Sequence, residues 1–405
     1  MSDSPLIIKN ARVVLPDRII SGGAVQIRDG VIAAVVANGD ELPLGNGRVI
    51  DADGAMLIPG LVDLHNDSLE TEINPRPGAN LPMDFALANF ERRLASSGVT
   101  TEFHAISFMD MEKSNRTVAQ AAERSAYIAA RNRLPGGMVD HHVLHRLDVW
   151  NPAAMDELFG SVHQAKPGYV SLNDHTPGQG QYRDVAHYAR FMQEWRQQRG
   201  GDSPEEGEIE DRIATRAADA DAIPAVYARV SAERAARPFV LSTHDDDSPD
   251  KVDRQWEIGA TVAEFPVTMD AAIRARERGM FIVVGAPNVV RGGSTSGNMD
   301  AVDLVAAGLA DIICADYHAP SLLVAAFQLA REGLLDIPAA IRTLTLNPAR
   351  AVGLLDRGSI EPGQRADLAL IRVDQTGMPT VETLLRGGEI VLSIQPAALA
   401  GSGAW

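Results

Sequence analysis

The sequence predicts an α/β fold, a (β/α)8 TIM-like barrel carrying a small β-sandwich domain formed by both chain termini, and three observations predict it. Strand-like apolar runs alternate with helix-like stretches through the middle of the chain, from GLVDLH near residue 60 to DIICADYH near 318, at the size and rhythm of such a barrel. Both ends of the chain read instead as short strands set between Gly, Asn and Asp. Histidines and carboxylates gather where the middle strands end, the edge at which barrels of this kind build their sites.

Taken in order, LIIKNARVVL, GGAVQIRDGVIAAVV and GRVIDADGAMLIPG make residues 1–58 a β-rich unit. RGSIEPGQRADLALIRV and VETLLRGGEIVLSI give residues 355–398 the same character, so the two segments are expected to pair into one domain with the barrel, 59–354, inserted between them. The barrel strands expected are GLVDLH, GVTTEFHAIS, HHVLHRLDV, GYVSLNDH, PFVLSTHDD, ATVAEF, MFIVVGAPN and DIICADYH. Helical stretches such as NFERRLASS, RTVAQAAERSAYIAARNRL, ADAIPAVYARVSAERAA and MDAAIRARERG separate them. Residues 178–222, with QQRGGDSPEEGEIEDR, are polar and bear Gly and Pro, which reads as a helical insertion near the site or a lid.

Composition bounds the function. A chain of 405 residues with 45% hydrophobic and 22% charged residues is neither disordered nor fibrous. The single Cys314 forms no internal disulfide and the start MSDSPLIIKN lacks a signal-peptide pattern, so a cytoplasmic location is expected. The longest apolar window, LADIICADYHAPSLLVAAFQLA, is broken by charges and a Pro, which excludes a helical membrane span. A net charge of −17 argues against nucleic acid as partner. It leaves room for a small anion, because metal ions and a few arginines reverse the field locally.

In IPGLVDLHNDSLE an apolar strand ends on His65 and Asp67, two positions apart and therefore on one face. Other strand ends carry His104, Asp148, Asp174 with His175, His244 with Asp245 and Asp246, and Asp316 with His318. A lone strand-end histidine is ordinarily a hydrogen-bonded loop residue, but about half of the ten histidines falling at one rim points to a metal centre. Imidazoles and carboxylates are ligands of zinc, manganese and iron. His104, His141, His142 and His145 keep a supporting or structural reading, since only alternate strand positions face inward, and His163 and His187 read as surface residues. No Lys stands at an obvious strand end, so no carbamylated lysine is expected.

The run GAPNVVRGGSTSGN, residues 285–298, is the other singular feature. Gly292 and Gly293 leave backbone N–H groups able to approach an anion, and Asn288, Arg291, Ser294, Ser296 and Asn298 supply side-chain donors suited to phosphate oxygens. The run matches neither a Walker A loop nor a dinucleotide fingerprint. In NPRPGA, Arg76 sits between two prolines, as part of a rigid loop or as a positioned anion contact.

The stretches PGLVDLHND, ADYHAP and TLNPARAVGLLDRGSIEPGQRADLALI resemble the amidohydrolase superfamily of metal-dependent barrels. More narrowly, HNDSLE followed by PRPG, VSLNDHTPGQGQ, STHDDDSP, GATVAEFPVTMDAA and GAPNVVRGGSTSGN resemble the PhnM family, the alpha-D-ribose 1-methylphosphonate 5-triphosphate diphosphatases of phosphonate breakdown. The likeness covers nearly the whole chain. It implies hydrolysis of a ribose triphosphate bearing a phosphonate to the 5-phosphate and pyrophosphate. It also implies a metal cluster of His65, Asp67, His175, His244 and Asp316, with Asp148 as a bridging or fourth carboxylate. The superfamily usually opens with His-x-His, and here the second position is Asp67.

The expectation is therefore a metal-dependent hydrolase using one or two divalent ions, zinc before manganese or iron, with Asp316 as general base. Arg291 and its loop, helped by Arg76, would hold the phosphate chain of a small phosphorylated sugar. Whether the chain forms a homodimer is left open. The alternatives are an amidohydrolase acting on a cyclic amide, or a deaminase of a small heterocycle, and a non-catalytic metal-bound subunit of a phosphonate-processing assembly. DYHAP is nearer the cyclic-amide pattern, so His318 is a candidate for contact with the leaving group, for an extra acid, or for a plain hydrogen bond. VVRGGSTSG argues against that alternative, because such substrates need no phosphate cradle.

Overall fold

Strands whose residues are buried on both faces can only be covered on both sides, and the middle of this chain supplies them. In the computed structural model, which describes residues 5–37, 42, 47–76, 78–110, 117–174, 176–198, 207–294 and 297–394, the small sheet uses β1 (Leu6–Val14), β2 (Ile19–Arg28), β3 (Val31–Val36), β4 (Arg48–Asp51) and β5 (Met56–Pro59) from the first part of the chain. The barrel follows with β6 (Leu61–Asn66), β7 (Val99–Ser107), β8 (Asp140–Asp148), β9 (Tyr169–Asn173), β10 (Val240–His244), β11 (Val262–Glu264), β12 (Phe281–Gly285) and β13 (Ile312–Cys314). The last segment returns β14 (Leu368–Val373), β15 (Pro379–Arg386) and β16 (Glu389–Ser393) to the small sheet.

The eight barrel strands run parallel in sequence order, each hydrogen-bonded to the next. The seam between β13 and β6 is closed by backbone just past β13: Asp316 donates its N–H to the His65 carbonyl at 2.8 Å and accepts from the Asp67 N–H at 2.7 Å. Side chains alternate with the pleat. Leu64, Phe103, Leu144, Tyr169, Val262, Val283 and Ile312 fill the interior, while Leu147, Leu172, Leu241, Ala263, Ile282 and Ile313 pack outward against the helices. Several of those helices start on the sequence signals expected of them, notably the capping box of Thr117 and Gln120 at helix 118–131 and the Thr268 and Asp336 caps of helices 269–277 and 337–344.

Both ends of the chain do meet in one hydrogen-bonded sheet, ordered β16-β15-β14-β5-β1-β2-β3, with β4 alongside β1. Two devices fix this sheet to the barrel. Gly60, between β5 and β6, donates its N–H to the Asp367 carbonyl, and a Cβ there would lie 2.3 Å from Thr100 Oγ1, so only glycine fits the crossing. At the amino end of the barrel Asp140 accepts from Arg357, Arg365 and Arg386 together. The region read as an insertion is helical where described, with helices Val185–Gln198 and Glu208–Asp219 above the carboxyl ends of the strands. Arg216 ties it down, donating to Thr176 Oγ1 at 2.8 Å and lying 3.6 and 3.7 Å from Asp148 and Asp174. Among the described residues no helix is long and apolar enough to cross a membrane.

Candidate active site and metal centre

The carboxyl ends of β6, β8, β10 and β11 and the turn after β13 converge on one cleft, of about 860 Å³ with its open mouth, floored by His65, Asp67, Arg146, His244, Asp245 and Asp316. At its base lies Glu264, the last residue of β11, fully buried. One of its oxygens, Oε2, is 3.3 Å from His65 Nδ1, 3.2 Å from His244 Nδ1, and accepts from Ser171 at 2.8 Å, while Oε1 accepts from the Tyr169 hydroxyl at 2.8 Å. A carboxylate taking Nδ1–H from two imidazoles fixes their tautomers and turns their Nε2 atoms outward. Those atoms lie 3.6 Å from Asp67 and 3.3 Å from Asp245. The two rings stack at 5.5 Å, and Phe265 meets both edge-on at 5.1 and 5.2 Å.

Three rim residues carry backbone strain. Asp245, Phe265 and Asp316 each follow a strand end and each has a φ of 54 to 57°, a left-handed conformation that costs a residue with a side chain about 1–3 kcal/mol. Each is held there by an N–H bonded to the next strand: Asp245 to Glu264, Phe265 to Val283 and Asp316 to His65. The ladder thus pays with local strain to aim two carboxylates and one aromatic ring at the same point.

The electrostatics favour a cation. Burial disfavours a charged His65, yet the charges and hydrogen bonds of Glu264 and Asp67 push it up to about 10. Burial raises the Glu264 carboxyl, but His65 and His244 hold it well below the usual range. Surrounding protein acts the same way on Asp67, where the Arg146 guanidinium and His65 prevail and hold it low. Burial, with the nearby Asp67 and Asp245 charges, pushes Asp316 up to about 7 against the pull of His65 and Arg146. Among the described residues two sets of donor atoms are close enough to share an ion, His65 with His244 and Glu264, and His65 with Asp67 and Asp316. Imidazole nitrogens and carboxylate oxygens at this spacing fit a divalent first-row metal.

Of the residues singled out from sequence, His65, Asp67, His244 and Asp316 come together here. Asp148 does not join them: it is buried, receives the Trp150 N–H at 2.9 Å and faces Arg216. His175 and Ser296 lie outside the described residues. Asn288, Arg291, Ser294 and Asn298 line the cleft wall opposite the histidines, joined by Gln181 from the start of the insertion, whose carbonyl accepts from Asn298 Nδ2 at 3.0 Å. The glycines next to them behave differently from expectation. GAPNVVR folds into a short helix, 286–291, and Gly292 at a φ of 72° and Gly293 both donate their N–H to the Asn288 carbonyl as a helix C-cap, so neither amide is open to an anion. Arg76 is exposed, and His318 is bonded through Nδ1 to Ser321 Oγ at 2.7 Å; neither lines the cleft.

Two central residues escaped the sequence reading. Glu264 stands in ATVAEF as one acid in an apolar run, on the same strand face as Val262. Arg146 stands two residues before Asp148, on the inward face of β8, and its guanidinium reaches both Asp67 oxygens at 2.9 and 3.1 Å and Asn173 Oδ1 at 3.1 Å. Period-two reasoning back from the strand end was the available signal. The other buried histidines do take supporting places: His104 and His141 bond each other at 2.9 Å beside Glu91, and His145 bonds the Tyr169 carbonyl.

Comparison with known proteins agrees with this geometry. A profile of the amidohydrolase family matches residues 211–392. The alpha-D-ribose 1-methylphosphonate 5-triphosphate diphosphatase of Escherichia coli K12 is 32% identical over 368 residues, covering 90% of this chain and 94% of that protein. An allantoinase of Streptomyces avermitilis is 26% identical, covering 93% and 88% of the two chains. In structure, the beta-aspartyl dipeptidase of Fervidobacterium islandicum AW-1 superposes with a TM-score of 0.61 at 16% identity, covering 97% of both chains, a likeness of fold.

Proposed function

The chain belongs to the amidohydrolase superfamily and, within it, to the family of the alpha-D-ribose 1-methylphosphonate 5-triphosphate diphosphatase, and from that premise we propose how its cleft hydrolyses a phosphoanhydride. It is a metal-dependent hydrolase; the substrate of this reading is a ribose 5-triphosphate carrying a phosphonate at its anomeric carbon, and the products are the 5-phosphate and pyrophosphate. The observation that supports it is the pair of guanidinium groups, Arg146 at the cleft floor and Arg291 at its rim, flanking the histidine and carboxylate cluster. A triphosphate needs such forks along its length and a cyclic amide does not.

His65, Asp67 and Asp316 would hold the divalent ion, zinc before manganese or iron, with His244 beside them and Glu264 behind the two rings. When bound, that ion supplies a Lewis acid beside the phosphoryl group and a water that ionises near neutral pH. Asp316 accepts the proton of the attacking water as its oxygen bonds to phosphorus and the anhydride bond to the departing pyrophosphate breaks. Arg146 and Arg291 hold the phosphate oxygens on either side, with Asn298, Ser294 and Gln181 adding polar contacts. Phe265, Val267, Met299 and Leu304 make the apolar wall that keeps bulk water from the reacting centre.

Pyrophosphate release from ribose 1-methylphosphonate 5-triphosphate by metal-loaded enzyme is the test, with ATP and a cyclic amide as comparison substrates. Selective release supports the reading. Turnover of the amide alone sinks it and moves the chemistry to carbon. The amide reading has lost one support, because His318, which suggested it, is tied to Ser321 outside the cleft.

A further inference from the structure

We propose that this centre holds a single divalent ion and that Arg146 supplies the second positive charge, in the place where a two-metal hydrolase would hold its second ion. The inference rests on reading the cleft as the metal centre of a phosphoanhydride hydrolase, and it adds the number of ions and the identity of their substitute.

The first ground is His65. Among the described residues, both sets of donor atoms that could share an ion include it, one with His244 and Glu264 and the other with Asp67 and Asp316. A neutral imidazole offers one lone pair, the other nitrogen being an N–H. With Glu264 already receiving the Tyr169 and Ser171 hydroxyls, its remaining attraction is for the Nδ1–H of each ring. His65 then has only Nε2 to give, so the two sets are alternatives for one ion.

The second ground is where the guanidinium lies. Its Nη1 bonds both Asp67 oxygens, and its Nη2 bonds Asn173 and approaches His244 Nε2 at 3.5 Å. Those are the oxygens and the nitrogen on which a second cation between His244 and Asp67 would depend, and it would have to displace a buried charge to reach them. The charges agree: one divalent ion and Arg146 together offset three of the four carboxylates, Asp67, Asp245, Glu264 and Asp316.

The third ground is a donor kept in reserve. Arg146 Nε is buried without a hydrogen-bond partner among the described residues, although every other part of the fork is engaged. A buried unpaired N–H is costly, and a phosphate oxygen entering the cleft would satisfy it. The guanidinium would therefore touch the substrate as well as the centre, through the one N–H it has left unengaged. Unlike a second metal it is covalently tethered and survives chelation.

The experiment is metal stoichiometry. Protein stripped with a chelator is reloaded with excess zinc chloride, and in parallel with manganese chloride, passed through a desalting column, and its metal counted by elemental analysis. Wild type and Arg146→Lys, which keeps one charge, are expected to hold one equivalent per chain, and Arg146→Met to take up a second. Two equivalents in the wild type overturn the proposal, and one equivalent in folded Arg146→Met overturns the part given to the guanidinium. Circular dichroism melting shows whether Arg146→Met folds; if it does not, the counts for wild type and Arg146→Lys decide. Pyrophosphate release measured on the same samples separates the two readings, since one equivalent without release removes the phosphoanhydride assignment and leaves the stoichiometry standing.

Discussion

Replacing Glu264 by Gln changes no volume and removes one charge, which makes it the sharpest probe of how the two histidines are aimed. Glu264 receives four donors, His65, His244 and Ser171 on one oxygen and Tyr169 on the other. The best placement of a Gln amide keeps its carbonyl toward the histidines and turns its NH2 toward Tyr169, whose hydroxyl can accept. Both imidazole contacts then survive as neutral hydrogen bonds in place of charge-assisted ones, a loss of about 1 kcal/mol each and roughly 2 kcal/mol in all. That is about a 30-fold weaker hold on the ion, in the range known for carboxylates behind metal-bound histidines. Competition for zinc against a chromogenic chelator measures it. An affinity within twofold of the wild type refutes the idea that Glu264 orients the rings, and a loss of about a thousandfold or more makes Glu264 a ligand outright.

Asp316→Asn should retain its metal and lose activity by about a hundredfold or more, read as kcat on loaded enzyme; an unchanged kcat removes Asp316 as the base. Glu91, almost fully buried and bonded to the Met138 and Val139 amides, is raised by burial but held at about 2 by His141, the Met138 amide and Arg131. Its folded value is depressed, so its contribution of about 2 kcal/mol is present above about 4.5 and is lost as pH falls through about 2. Glu91→Gln should lower the melting temperature at pH 7 and flatten its decline across that acid window. Asp140→Ala leaves Arg357, Arg365 and Arg386 facing one another without their shared carboxylate, and should cost about 3–5 kcal/mol in urea unfolding. Gly60→Ala forces a methyl group onto Thr100 and should cost about 1–3 kcal/mol while leaving metal content unchanged in the folded fraction.

The barrel was legible because its strands are apolar runs long enough to be read singly and separated by helical periods, and because His65, His244 and Asp316 end those runs. What stayed hidden depends on partners distant in sequence. Glu264 acquires its meaning only when β11 lies beside β10 and opposite β6, and nothing local marks it off from an ordinary strand acid. Arg146 on β8 pairs with Asp67 at the end of β6, two strands away in the sheet and 79 residues away in the chain, so its role is set by a neighbour the sequence does not show. Asp148 misled for the converse reason: its position at a strand end is that of a ligand, but the insertion brings Arg216 to it. In GAPNVVRGG the glycines suggested an anion loop, whereas the local rule that Gly ends a helix describes what they do.

The seam of the barrel gives the site a temporal order. The bond from the Ala315 N–H to the Asp63 carboxylate at 2.9 Å joins residues 252 positions apart, and the next residue carries the base that sits against His65 and Asp67. During synthesis the first ligands leave the ribosome long before the last, and no truncated or half-closed chain can bring them together. Catalytic competence is therefore a certificate of completed folding. An ion bound across the seam would latch the first strand to the last, so a cell short of that metal would lose both the reaction and the clasp that keeps newly made chains shut.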